Sequence, residues 1–310
     1  MPAGGCVSLP CSVRVRVLGS AAGGGVPQWN CHCGICEAAR AGVHARPRSQ
    51  SSLAIRGDDG PWFLVNASPD LRQQLETLDP RRVGGVRSPP VAGVLLTDAE
   101  IDHTAGLLLL RESVAPLRIF GDAGVERALS DGYPVLPMLE RYCGAEWQTL
   151  ERGRARPLDG SSLAVEPFAV GGDAPRYLDG SDVELEASGF VFRDRATGGV
   201  LTYVPGLARI DDDVVGRFTA SDLVLVDGTF WRDDELARLG ISARSAREMG
   251  HVPLSGPGGT LEALAGLQRP RKALVHINNT NPILLEDSPE REAVVGAGVD
   301  VAYDGLEVDL

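Results

Sequence analysis

Positive charge is in short supply in this chain. Its 30 Lys and Arg face 42 Asp and Glu, a formal net charge of −12. Nucleic-acid binding draws on a basic face, so the balance disfavours that class of partner. Long apolar runs are missing too. No stretch of 18 consecutive apolar residues occurs, which argues against a membrane-spanning helix. The opening residues 1–12, MPAGGCVSLPCS, have neither the basic start nor the apolar middle of a signal peptide. They read as a disordered leader, and the protein as cytoplasmic. Histidine is rare, with five residues in the chain, so a pattern that uses two of them carries information. What remains is ordinary globular composition, 43% hydrophobic and 23% charged over 310 residues. That is enough to bury the core of one large α/β domain or two small ones.

Hydrophobic patterning places the elements. VRVRVL (13–18) alternates with period two, the mark of a half-buried strand, and a glycine-rich loop, GSAAGGGVPQWN, follows. SSLAIRG and PWFLVNAS read as two strands joined at Asp58-Asp59-Gly60. A helix is expected from Pro69 to Leu78 behind Ser68 as N-cap. VAGVLLT (91–97) reads as a strand buried on both faces, Ile101–Leu110 as a helix, LRIFG as a strand, with helices to about residue 142. In the second half SSLAVEPFAV, GFVFRD and GVLTYV look like antiparallel strands. DLVLVDG, RKALVHI and VDVAYDG follow as strands, with helices at Asp211–Ala220 and GTLEALAGL. Each half runs several strands and then alternates strand with helix. That predicts an α/β fold, an αββα sandwich of two packed mixed sheets with helices outside. No low-complexity linker parts the halves, so residues 13–310 read as one domain, with 80–90 and 171–186 as surface loops.

Three of the buried strands end in polar groups: LLT runs into Asp98, LVLV into Asp227 and ALV into His276. Catalytic groups gather at strand carboxyl ends in open α/β sheets. Alone, an Asp there is commonly a helix N-cap and a His a satisfied structural residue; three such ends together weigh more. The sharpest stretch, LLTDAEIDHTAGL (95–107), crowds Asp98, Glu100, Asp102 and His103. Carboxylates so close need a cation, or one pKa must rise. Asp102 and His103, adjacent at a helix start, can face one ion with a hard oxygen and a neutral imidazole nitrogen. His276 would make the set two His and one carboxylate, the composition of the facial triad in non-haem Fe(II) oxygenases.

TDAEIDH is similar to the H-x-H-x-D-H signature of the metallo-β-lactamase superfamily with both leading histidines replaced. Asp98 and Glu100 stand in their places, while Asp102 and His103 match. LVLVDGTFW resembles the later acidic strand end, at Asp227; MGHVPL the Gly-His motif of the phosphodiesterase branch, at His251; and LVHINNTNP the last histidine-bearing strand, at His276. Taken with VRVLGSAAGGGVPQWNCHCGICEAAR, TDAEIDHTAGLLLLRE and HINNTNPIL, the chain resembles the branch of that superfamily that works in pyrroloquinoline quinone (PQQ) synthesis. The resemblance implies the αββα metallo-β-lactamase fold. It also implies iron-dependent hydroxylation of the tyrosine ring in a Glu-Tyr dipeptide, with O2 as co-substrate and Asp102, His103 and His276 as Fe(II) ligands. Such a carboxylate–histidine site accepts other divalent ions as well. Superfamily hydrolases hold two metals. Here EPFAVGGDAPRY (166–177) offers no histidine, and Pro205-Gly206 stands where the bridging Asp belongs. One metal site is therefore expected to be degraded and the other retained. Asp98, Glu100 and Asp227 are expected beside the metal, as alternative ligands or proton carriers, and His251 as an acid/base or substrate contact.

The cysteines at 31, 33 and 36 form a C-x-C-x-x-C turn. Thiolates at this spacing can wrap one ion, and tetrahedral Zn2+ is the default, so a structural zinc is expected. Its fourth ligand is open. In related enzymes a histidine three residues past the last active-site histidine supplies it, and here that position is Asn279; His32 is expected to point away. A redox pair is less favoured, because thioredoxin-type C-x-x-C motifs sit at helix starts in a different unit. The resemblance links this turn to dimer contacts, so a homodimer is expected. Cys6, Cys11 and Cys143 read as free thiols. GSAAGGG lacks the Lys-Ser/Thr of a P-loop and the G-x-G-x-x-G spacing. It reads as a loop at the mouth of the active site, with Gln28 and Trp29 as candidate substrate contacts, although Trp29 reads more simply as core.

Two other functional readings stay open. A two-metal hydrolase of the phosphodiesterase type would work without O2, and the lost histidine pair counts against it. A non-catalytic carrier would transport PQQ or its precursor. PQQ carries three carboxylates, and an acidic site would repel it unless a cation intervened.

Overall fold

The computed structural model describes residues 13–57, 60–79, 86–183 and 185–310. In chain order the strands are β1 Arg14–Gly19, β2 Ser52–Arg56, β3 Trp62–Val65, β4 Val91–Leu95, β5 Leu117–Gly121, β6 Ala145–Thr149, β7 Arg156–Pro157, β8 Leu163–Gly171, β9 Ala187–Asp194, β10 Val200–Val204, β11 Leu223–Asp227, β12 Arg271–Val275, β13 Asp300–Val301 and β14 Glu307–Asp309. They build two seven-stranded sheets, ordered β14-β1-β2-β3-β4-β5-β6 and β13-β12-β11-β10-β9-β8-β7. The first is antiparallel from β14 to β3 and parallel from β3 to β6. The second is parallel from β13 to β10 and antiparallel from β10 to β7. Each sheet thus joins an antiparallel half to a parallel half, as the strand patterning predicts.

Side chains alternate across each strand, and the alternation sorts them into layers. Phe63 and Val65 of β3, with Leu223 and Leu225 of β11, meet between the sheets. Their neighbours Trp62 and Leu64 turn to one outer layer, and Val224 and Val226 to the other. Leu71, Leu107, Leu129 and Leu139 cover the first sheet; Val214, Phe218, Leu264 and Val294 cover the second. Each such side chain, once fully buried, contributes about 1.5–3 kcal/mol. Local signals agree with this packing. Asp211 caps the helix Asp212–Thr219 by accepting from the Val214 N–H at 3.0 Å, and Arg217 lies in its last turn, where a cation suits the helix dipole.

Several expectations need correction. The helix foreseen at 69–78 spans only Leu71–Leu75, and Ser68 does not cap it. The Ser68 hydroxyl instead donates to Gln74 Oε1 and accepts from the Asp70 N–H. The stretch 101–110 divides into an α-helix, Ile101–Thr104, and a 3-10 helix, Ala105–Leu110. Gly106 there packs so tightly that a Cβ would lie 2.2 Å from the Ser68 carbonyl oxygen. Strands β6, β7 and β14 and the helices Gly34–Ala41 and Pro289–Gly296 were not foreseen. AEWQT in β6 is a polar, half-exposed edge strand, and β7 has two residues, so neither carries a hydrophobic period. The leader 1–12, Asp58 and Asp59 of the first hairpin turn, and residues 80–85 lie outside the described residues. Among the described residues no helix is long and apolar enough to cross a membrane.

Candidate active site

The polar ends of β4, β11 and β12 converge on one cavity of about 270 Å³ that reaches Asp98, Glu100, Asp102, His103, His251 and His276. A larger groove of about 610 Å³ lies elsewhere, lined mostly by apolar groups such as Val91, Val114 and Pro116, and holds none of the histidines. Chemistry therefore points to the smaller space. His276, just past β12, has φ 53°, a conformation that costs a non-glycine residue roughly 1–3 kcal/mol. Backbone bonds from Gly228 to Val275, from Ile277 to Ser20 and from Asn278 to Thr229 hold the turn.

Asp102 Oδ2 lies 3.4 Å from His276 Nε2 and 3.9 Å from His103 Nε2. One ion with ligand bonds of about 2.1 Å fits among atoms so spaced. Three further features suit an ion. His103 Nε2 is buried with no hydrogen-bond partner, an arrangement that is costly if nothing meets it. His103 Nδ1–H donates to both oxygens of Asp98, at 2.8 Å each, which leaves the lone pair on Nε2. Gly23 approaches so closely that a Cβ would lie 3.2 Å from Asp102 Oδ2.

The other acidic candidates take different places. Asp98 also accepts from the Thr97 hydroxyl at 2.7 Å and the Glu100 N–H at 2.9 Å. Both its oxygens are occupied, so it orients His103 rather than facing an ion. Asp227 is saturated as well. Its Oδ2 accepts from the Leu207 N–H and from His251 Nδ1–H at 2.6 Å, and its Oδ1 from the Thr229 N–H and hydroxyl. Asp227, His251 and His276 also lie close enough to share an ion, but four donors on Asp227 make it an anchor. Because the Thr229 hydroxyl donates to Asp227, its lone pairs accept His276 Nδ1–H at 2.9 Å. That turns the Nε2 lone pair of His276 toward Asp102. Sequence reasoning missed Thr229; its position two residues past Asp227 was the available signal. It also missed Gly171, Gly172, Asp173 and Pro175, which line the cavity, so the 171–186 stretch is more than a surface loop.

The expected strain among the carboxylates falls on Glu100. Burial, then the charges of Asp98 and Asp102, push its carboxyl up to about 7. Burial also works to raise Asp98 and Asp102, but His103 beside them holds both below the usual range. Without a cation, burial disfavours the charged form of His103, yet Asp98 and Asp102 outweigh it and lift the imidazole to about 9; an ion bound at Nε2 takes the place of that proton. For His251 burial is likewise outweighed, by Asp227, and its pKa rises.

The cysteine turn lies nearby in the chain's folding. Cys33 caps the helix Gly34–Ala41, accepting from the Cys36 N–H, so this C-x-x-C does open a helix. Asn279, three residues past His276, holds Nδ2 at 3.1 Å from Cys31 Sγ, 3.3 Å from Cys36 Sγ and 4.0 Å from Cys33 Sγ. The amide thus sits over the open side of the three sulfurs. Burial and the neighbouring thiols push Cys33 up to about 11, so the set does not ionise together without a cation. His32 points away, to Glu37. Trp29 is 85% exposed, not core, and Gln28 turns to Asn30; Ala22 and Gly23 are the loop residues that reach the cavity. Cys143 is a free thiol, while Cys6 and Cys11 lie outside the described residues.

Residues 61–277 match the Beta-lactamase superfamily domain, and the two mixed sheets with their outer helices are the metallo-β-lactamase fold. Within that class, coenzyme PQQ synthesis protein B of Methylococcus capsulatus is 46% identical over 308 residues, covering 96% of this chain and 99% of that protein. The protein of the same name from Cupriavidus necator is 47% identical over 311 residues, with the same shares covered. The crystal structure of Zn2+-bound PqqB from Methylobacterium extorquens is 40% identical, covers 96% of this chain and 100% of that one, and superposes with a TM-score of 0.86. A diphosphatase of the PhnP family is 19% identical, covers 96% of this chain and 97% of its own, and has a TM-score of 0.70, a likeness of fold alone. The chain belongs to the coenzyme PQQ synthesis protein B family.

Proposed function

We propose that the chain acts in PQQ synthesis as an Fe(II)-dependent hydroxylase that adds oxygen to the tyrosine ring of a Glu-Tyr dipeptide. The observation that carries this reading is the buried, unpartnered His103 Nε2 beside Asp102 and His276. It is a two-histidine, one-carboxylate set; the overlapping group Asp227, His251 and His276 is less suited, because four donors already occupy Asp227. Asp102, His103 and His276 would hold the iron, which when bound supplies the activation of O2. Asp98 fixes the tautomer of His103, and Thr229 that of His276. Asp227 holds His251 by Nδ1, leaving Nε2 toward the cavity to take or return the phenol proton. Glu100, which lines the same cavity, is a second proton carrier. Ring hydroxylation by O2 puts one oxygen atom on the ring and the other into water, with two electrons from an external reductant. Separately, Cys31, Cys33 and Cys36 would hold a structural Zn2+ beneath Asn279.

The test loads the protein with Fe(II) anaerobically, adds Glu-Tyr and a reductant, and compares product masses with and without O2. Oxygen gain only under O2 is expected. Its absence in fully loaded protein would sink the hydroxylase reading, and turnover without O2 would favour a hydrolase.

A further inference from the structure

We propose that a groove beside the triad, carrying Arg176 and Arg244, binds the carboxylates of an amino-acid or short-peptide zwitterion, with Asp173 taking its ammonium. The naming of Glu-Tyr as its ligand rests on the hydroxylase reading; the charge pattern of the groove does not.

The cavity over the triad is acidic. Asp98, Glu100, Asp102 and Asp173 line it beside three histidines, and among the described residues no Arg or Lys does. A ligand with free carboxylates meets like charge there and needs a cation within reach. A second cavity of about 320 Å³ shares Glu100, Asp173 and Met249 with the first, so the two adjoin. It supplies Arg176 and Arg244.

Arg176 lies at the start of the 3-10 helix Arg176–Leu178 and is exposed. Around the neighbouring loop Arg152 and Arg209 pair with Glu186, and Arg217 pairs with Glu166. Among the described residues the Arg176 guanidinium has no hydrogen-bond or ion-pair partner, a fork left free at the mouth of an acidic site. Its backbone is anchored. The next residue, Tyr177, donates its hydroxyl to the Ala99 carbonyl at 2.7 Å and packs edge-on against Tyr133. This ties the rim to the segment that bears Asp98 and Glu100. Arg244 donates one nitrogen to the Glu248 carbonyl, which holds the side chain at the groove while other N–H groups stay available. Arginine recognises carboxylate in bidentate fashion. An extended chain spans roughly 3.3–3.6 Å per residue, so a dipeptide can lay its charged backbone along the groove and turn a ring toward His103 and His276.

Calorimetric titration of the Fe(II)-loaded protein without O2 tests the groove apart from turnover. The probes are Glu-Tyr and Gln-Tyr-amide, which has the same shape without either carboxylate. Wild type is expected to bind Glu-Tyr at least about tenfold tighter. Arg176→Gln should weaken Glu-Tyr by about tenfold, the scale of a charge-assisted hydrogen bond, and leave the diamide unchanged. Arg176→Gln with Arg244→Gln should erase the preference with iron affinity intact. Arg244 supports its own loop, so melting temperatures accompany each variant, and Arg176→Gln alone carries the test if the double variant unfolds. Equal binding of the two peptides by wild type, binding of neither, or an undiminished preference in a folded Arg176→Gln variant overturns the proposal. Binding with the expected preference but no oxygen gain under O2 defeats the hydroxylase reading and leaves the groove standing.

Discussion

The first sheet delivers Asp98 and His103 to the site, and the second delivers Asp227 and His251. In both pairs a buried carboxylate accepts the Nδ1–H of an imidazole, at 2.8 and 2.6 Å. In both the carboxylate is fixed by a threonine hydroxyl and backbone N–H groups. They differ in what the far nitrogen meets. The His103 side chain is 3% exposed, and its Nε2, 3.9 Å from Asp102 Oδ2, is buried without a hydrogen-bond partner. The His251 side chain is 18% exposed, stacks on His276 and borders the cavity. The same two-residue unit thus stands at two depths in the cavity, and the ligand role proposed for His103 and the proton-carrier role proposed for His251 rest on that difference.

Four measurements would break or sharpen that contrast. The largest effect is expected from His251→Ala, which should lower the rate of oxygen insertion by about 10²–10⁴-fold, the range of general acid–base catalysis. Fe(II) affinity in an anaerobic titration should stay unchanged; a parallel loss of affinity would make His251 a ligand and end the distinction. Asp98→Ala should do the reverse, lowering Fe(II) affinity by about 10–100-fold, as loss of an outer-shell partner does. Unchanged affinity would show that His103 keeps its tautomer without help. Thr229→Val keeps the shape but leaves Asp227 and His276 Nδ1 each short of a partner. It should cost about 1–3 kcal/mol in denaturant unfolding of the metal-free protein.

The smallest effect concerns the cavity wall. Glu186 accepts from Arg209 at 2.6 Å, Arg152 at 2.7 Å and the Gly171 N–H. Burial works to raise its carboxyl, but the Arg209 hydrogen bond and the two guanidinium charges hold it below the usual range. Its contribution is therefore complete above an unfolded value of about 4.3 and fades as pH falls through the lower folded value. With Glu186 31%, Arg152 35% and Arg209 47% exposed, the contribution is at most about 1 kcal/mol. Stability curves of wild type and Glu186→Gln should differ at neutral pH and converge in acid.

The sheets and the triad were legible because both rest on local patterns. Buried strands such as VAGVL and LVLVD are short apolar runs, and Asp102-His103 sit side by side. Asp227 and His276 could be read as strand ends, but Thr229 could not be read as their link, because its bonds join two strands distant in sequence. The site loop 171–175 has no hydrophobic period, and its role depends on where the chain returns. Trp29 was misread because its size favours burial, whereas the turn around the cysteines leaves it outside. The short helix at 71–75 shows one local contact displacing another, since Gln74 within the helix draws the Ser68 hydroxyl away from a capping role.

Asp102 and His103 belong to one sheet, and His276 to the other. The three groups meet only where the sheets dock. A newly made chain whose halves have not yet closed on each other presents these groups as scattered side chains in water. The candidate site is therefore a product of assembly: its groups come together only when the fold that contains them is finished.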